Sequence, residues 1–158
     1  MGNREGGVLA GWTAAHRPAT FARGFARMAT GEGLPSDIAA GAHRIFDAAT
    51  RHPELVGGTG SLDTDIMRAF GGRVFQKGGA EGVQCGAIRD KGWGYALKVD
   101  DGNMAASHAM VSALLLAIAD PDAAQRGLLE DRARQVVSNV RGLDVGSLAA
   151  TPAMTPQL

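Results

Sequence analysis

The sequence predicts an α+β protein in which helices come first, a three-stranded antiparallel sheet follows, and a long helix then covers that sheet. Three observations carry the prediction. Apolar residues in the first half recur at helical spacing, residues 73–99 break into three short runs with tight connections, and a long apolar stretch follows. Helices grouped before strands are the signature of segregated layers, whereas a parallel sheet alternates strand and helix.

Each element has its own warrant. Pro18 suits a first helical turn, Phe21, Phe25 and Met28 follow at helical spacing, and Gly31-Glu32-Gly33 supplies a stop. Ser36 is placed to cap a second helix whose stripe is Ile38, Ala42, Ile45, Phe46 and Ala49, ended by His52-Pro53. A short third helix is expected over about residues 62–70, with Ile66, Met67 and Phe70 facing inward. Residues 73–77, 83–89 and 93–99 read as strands. In the last, Trp93, Tyr95, Leu97 and Val99 share one face and Gly94, Ala96 and Lys98 the other. Asp90-Lys91-Gly92 is a hairpin signal. After Asp100-Asp101-Gly102, residues 103–119 form a helix apolar on nearly all sides, hence buried on the sheet. Asp120-Pro121 restarts a helix with a side-chain cap, running to about residue 137, and the stretch from Ser147 is expected to fray. The organisation is a divergent segment over 1–17, one domain over 18–146 and a flexible tail over 147–158.

Composition narrows the classes. A chain of 158 residues, 45% apolar and 20% charged, holds one compact domain with a core and is not disordered. The formal net charge is zero, which offers nothing to nucleic acid or an anionic membrane. The single cysteine, Cys85, excludes an internal disulfide and a cysteine-built zinc site, and fits a reducing compartment. With no signal-peptide pattern and no apolar run of membrane length, the expected location is the cytoplasm. The 23 glycines cluster without a fixed period, so they mark turns rather than a repeat.

Most reactive side chains have ordinary readings. His16, His43, His52 and His108 are scattered, with no pair on one helix face, so helix-end or surface roles are expected and no metal. Asp63 with Asp65, and Asp100 with Asp101, fall where helix N-termini favour carboxylates, so capping is expected. Cys85 reads as a small core residue. Gly31-Glu32-Gly33 has neither the preceding strand nor the Lys-Ser/Thr of a phosphate loop.

Four runs together resemble the bacterial L-asparaginase II family of the serine β-lactamase-like superfamily. They are residues 21–35 (FARGFARMATGEGLP), 57–67 (GGTGSLDTDIM), 75–102 (FQKGGAEGVQCGAIRDKGWGYALKVDDG) and 138–146 (SNVRGLDVG), and they correspond to the family's C-terminal portion. The resemblance implies hydrolysis of L-asparagine to L-aspartate and ammonia through an acyl-enzyme, and no cofactor is expected. It also implies that Lys77, in a Lys-x-Gly element on the sheet edge, is the catalytic-site residue. That lysine sets positive charge beside the substrate carboxylate and the ionising groups. Gly78 and Gly79 would then be substrate-binding, letting backbone approach the ligand. Glu81 and Gly82 lie in the same run without an assigned role.

The sequence departs from the family pattern in two ways. The family's nucleophile is the serine of Ser-x-x-Lys, and no serine in this chain precedes a lysine by three. The family's metal-binding runs, Cys-Ser-Gly-Lys and Asp-Gly-Cys-Gly, are absent as well. The expectation is therefore that the chain supplies only part of an asparaginase-like site; the alternative is a non-catalytic family member acting as a structural or oligomeric module. Either version expects a homo-oligomer or a partner chain covering an exposed sheet edge. A third reading takes Thr59, after Gly58, as similar to the freed threonine of N-terminal-nucleophile asparaginases; a plain loop threonine is expected instead.

Overall fold

A computed structural model describes residues 8–10, as backbone, and residues 18–151. It is an α+β fold. The order is β1 (Val8–Ala10), α1 (Pro18–Thr30), α2 (Ser36–Arg51), α3 (Glu54–Gly57), α4 (Leu62–Phe70), β2 (Val74–Gly79), β3 (Val83–Ile88) and β4 (Trp93–Lys98). There follow α5 (Met104–Ile118), α6 (Ala123–Ala133), β5 (Arg134–Ser138) and β6 (Asp144–Ala149). The three expected strands pair antiparallel as β4-β3-β2, and β1 adds in parallel on the outer side of β4. Sequence reading misses β1, because a strand of three residues carries too little alternation to register.

The alternation read from β4 holds. Tyr95 and Leu97, flanked by Trp93 and Val99, join Val74, Ile88 and the inward residues of α4, α5 and α6 in the larger core. Ala96 lies on the opposite face with Ala22 and Cys85. There α1 crosses β4 so closely that a Cβ on Gly94 would meet the Ala22 carbonyl oxygen. Only small residues allow that approach, so the buried stripe of α1 is Ala22, Ala26 and Ala29, while Phe21 is 46% exposed. Phe25 instead stacks on Phe75, with ring centroids 5.5 Å apart.

The stripe of α2 divides for a related reason. Phe46 and Ala49 are buried against Phe75 and Met67, but Ile38 and Ile45 are 54% and 63% exposed on the outer side. Around the β3–β4 turn, residues 89–91 form one 3-10 turn closed by Gly92 in the left-handed region at φ 65°. Arg89 leaves this turn to lie over the Phe46 ring, 3.9 Å from its centroid, and pairs with Asp47 at 2.6 Å.

Three caps differ from expectation. The N-cap of α2 is Pro35, with no side-chain cap bond, and Ser36 is the first helical residue. At α5 the cap oxygen is that of Asn103, which accepts from Ala106, while Asp101 accepts from the Asn103 N–H. At α6 it is Asp122, in a capping box with Gln125. Asp120 sits at φ 44° and its carboxylate takes the Lys91 ammonium at 2.6 Å instead.

The last expected helix also stops early. It ends at Ala133, and Val136 and Val137, β-branched neighbours suited to a pleated strand, lie in β5 of the β5–β6 hairpin. β6 takes in Ser147 and Leu148, at the start of the stretch expected to fray. Among the described residues no helix is long and apolar enough to cross a membrane.

Candidate functional site

The run 57–67 builds one wall. Ser61 caps α4 by accepting from the Thr64 N–H at 3.2 Å, and the Thr64 hydroxyl donates back to the Gly58 carbonyl at 2.6 Å. These two hydroxyls fold the glycine loop onto the start of the helix. Gly57 lies inside that fold, where a Cβ would stand 2.4 Å from Ser61 Oγ and 2.8 Å from Asp63 Cβ. Thr59 is an exposed residue in the turn between α3 and α4.

Asp63 is expected to cap α4, but Ser61 has that task and leaves the carboxylate free to turn toward the sheet. Asp63 is buried at 7% exposure, and both its oxygens accept from the Gly78 N–H, at 2.9 and 2.8 Å. Its Oδ2 also holds the Lys77 ammonium at 3.3 Å. Asp65, on the same turn, pairs with Arg132 of α6 at 2.6 Å.

The second wall is the end of β2, the outer strand opposite β1. Lys77 is 44% exposed in its side chain, and its ammonium donates to the Gly78 carbonyl as well as to Asp63. Beneath it runs a chain of buried polar groups. The Tyr95 hydroxyl donates to Gln76 Oε1 at 2.7 Å, and the Gln76 amide donates to Gln84 Oε1 at 2.7 Å and to Asp63 Oδ1 at 3.3 Å. Gln84 in turn donates to Ser107 Oγ at 3.0 Å, and Ser107 to the Met104 carbonyl. Gln76, Gln84 and Ser107 are all fully buried. Buried amides hold their geometry when every polar atom has a partner.

Between these walls opens a cavity of about 470 Å³, lined by Ser61, Asp63, Lys77, Gly78 and Gly79 with Met104, His108 and Arg132. Burial draws His108 below its ordinary pKa; the Asp63 charge opposes this and Arg132 adds to it. Burial pushes the Cys85 thiol up to about 11, with Asp63 adding and Lys77 opposing. Its Sγ donates to the Lys77 carbonyl, so it acts as a core group under the strand and not as a nucleophile. Burial raises Tyr95 well above the ordinary phenol range, helped by Cys85 and Asp63.

Lys77, Gly78 and Gly79 thus share one cavity, and Asp63, expected as a helix cap, joins them. The sequence reading passes over Gln76, Gln84, Ser107, His108 and Arg132 as site residues. A signal existed for the glutamines: Gln76 alternates with Val74 on the core face of β2, where a polar residue implies a buried partner. His108 and Arg132 carried no signal, because the packing of α5 and α6 alone brings them here. Among the described residues, no three of His, Cys, Asp or Glu are grouped to hold a metal ion. Cys85 is committed to its strand, its thiol donating to the Lys77 carbonyl. A family model described as L-asparaginase II matches residues 13–150. No curated protein matches the chain.

Proposed function

Since the chain belongs to the L-asparaginase II family, we propose that it contributes the lysine wall of an amidohydrolase site for L-asparagine. The observation that carries this reading is the half-exposed Lys77 side chain on the edge strand, lining a cavity with Asp63, His108 and Arg132. There the charge stands where a substrate carboxylate enters, and fixed positive charge stabilises negative charge in a shielded site far better than mobile solvent does. Gly78 and Gly79 leave backbone facing the same space, without side chains to keep a ligand away.

Hydrolysis requires a nucleophile, and Cys85, with its pKa at about 11, is not suited to be one. In this proposal a serine of the family's Ser-x-x-Lys element completes the site from a segment outside the sequence described, on a partner chain or a longer chain. That segment would lie against the cavity. The test is ammonia release from L-asparagine by the purified chain, alone and with a separately made fragment bearing Ser-x-x-Lys. Activity that Lys77→Ala reduces by about 100-fold or more supports the reading. Equal activity in Lys77→Ala sinks Lys77's role, and no activity in either mixture favours the non-catalytic module.

A further inference from the structure

The geometry points to Asp63 as the positioning residue of this site, the group that holds Lys77 and the Gly78 backbone in place for an amino-acid amide substrate; this rests on the function proposed above. Two independent features carry it. One carboxylate engages consecutive residues of the edge strand in different ways: both oxygens take the Gly78 N–H, and Oδ2 takes the Lys77 ammonium. That carboxylate is itself fixed from behind by the Gln76 amide, which Tyr95 and Gln84 lock in turn.

The arrangement exceeds what stability needs. An edge N–H facing solvent finds water, and a surface lysine needs no partner. A buried carboxylate, by contrast, is costly unless its bonds are met, and among the described residues they are met by the lysine, the strand and Gln76. Lys77 has several rotatable bonds and by itself would sample many positions. Asp63 reduces these to one, beside the cavity.

Gly78 shows the same constraint from the other side. A Cβ there would be tight against Gln84 Oε1 at 3.3 Å and in ordinary contact with Asp63 Oδ1 at 3.4 Å, so the glycine leaves room for the amide that fixes Gln76 behind the carboxylate. Sequence reading assigns Gly78 to the ligand; the contacts show that it also serves Asp63.

The test is Asp63→Asn, which keeps an oxygen acceptor and the side-chain shape but removes the charge that holds Lys77. Lys77, Lys91 and Lys98 are the only lysines, so the latter two are internal references for amine acetylation read by mass spectrometry. The expected result is severalfold faster labelling of Lys77 relative to the references, with kcat for asparagine down about 10- to 100-fold and melting near wild type. Unchanged kcat and unchanged labelling overturn the proposal, as does lost activity with unchanged labelling, which marks a structural role. If the Asp63→Asn substitution prevents folding, amide exchange in the wild-type chain decides: Gly78 exchanges slowly if Asp63 grips it, and exchange as fast as an exposed loop amide overturns the proposal. Should the wild-type chain hydrolyse nothing in either mixture, the function falls, while labelling and exchange still judge Asp63.

Discussion

Replacing Gly94 with alanine adds a single methyl where α1 lies on the sheet. That Cβ would stand 1.8 Å from the Ala22 carbonyl oxygen, 2.7 Å from the Ala26 nitrogen and 2.8 Å from the Ala22 carbonyl carbon. All three are helix backbone, so no side chain can swing away. To reach an ordinary contact of 3.4 Å the helix must retreat by about 1.6 Å. Such a gap forfeits much of the dispersion contact of Ala22 and Ala26 with the sheet, both of which are buried. Overpacking of this kind costs about 3 kcal/mol, which for a chain of this size lowers the melting temperature by about 10 °C. The control is Gly127→Ala in α6, where an added Cβ meets nothing within 4 Å. It should stabilise by about 0.5–1 kcal/mol through helix propensity. Thermal melts followed by circular dichroism compare the two. If Gly94→Ala melts with the wild type, the close seating of α1 on β4 is wrong.

Two further predictions concern titration and join those for Lys77 and Asp63. Cys85, with its thiol pushed up to about 11 and 6% exposed, should resist a disulfide reagent at pH 8 in the native chain and react in denaturant; rapid native labelling contradicts its burial. His108 has a folded pKa below its unfolded value of 6.5, so the unfolded chain binds the extra proton first as pH falls. Its contribution to stability is therefore full above 6.5 and is lost as pH falls from there toward the folded pKa. Urea midpoints measured across this window should decline less steeply toward acid in His108→Gln than in the wild type, and identical profiles count against a half-buried imidazole held neutral.

Much of the fold was legible because its signals are local. The period-two pattern of β4, the helix over Leu62–Phe70 and the apolar helix α5 are each written in a few consecutive residues, and each is found. Where a residue's setting depends on a distant neighbour, the reading failed. Ile38 and Ile45 fit the α2 stripe, yet only the Phe46 side reaches the sheet. Phe21 fits the α1 stripe, yet Gly94 draws the alanine face inward. Asp63 fits a cap, yet Ser61 stands two residues earlier and a strand lies beside it.

By itself the sequence determined that α1, α2, α4 and α5 coil and that β2, β3 and β4 extend, because periodicity and turn chemistry act over a few residues. It also placed Lys77 at the end of a strand over 73–77, whereas β2 runs on through Gly78 and Gly79, which pair with Gln84 and Val83. The tertiary structure alone decided what surrounds that lysine. Asp63 lies 14 residues away in sequence, Gln84 and Tyr95 come from the next two strands, and His108 and Arg132 come from helices on one face of the sheet. Such contacts depend on how layers seat on one another. A one-methyl clearance at Gly94 fixes one such seating, and no local pattern encodes it.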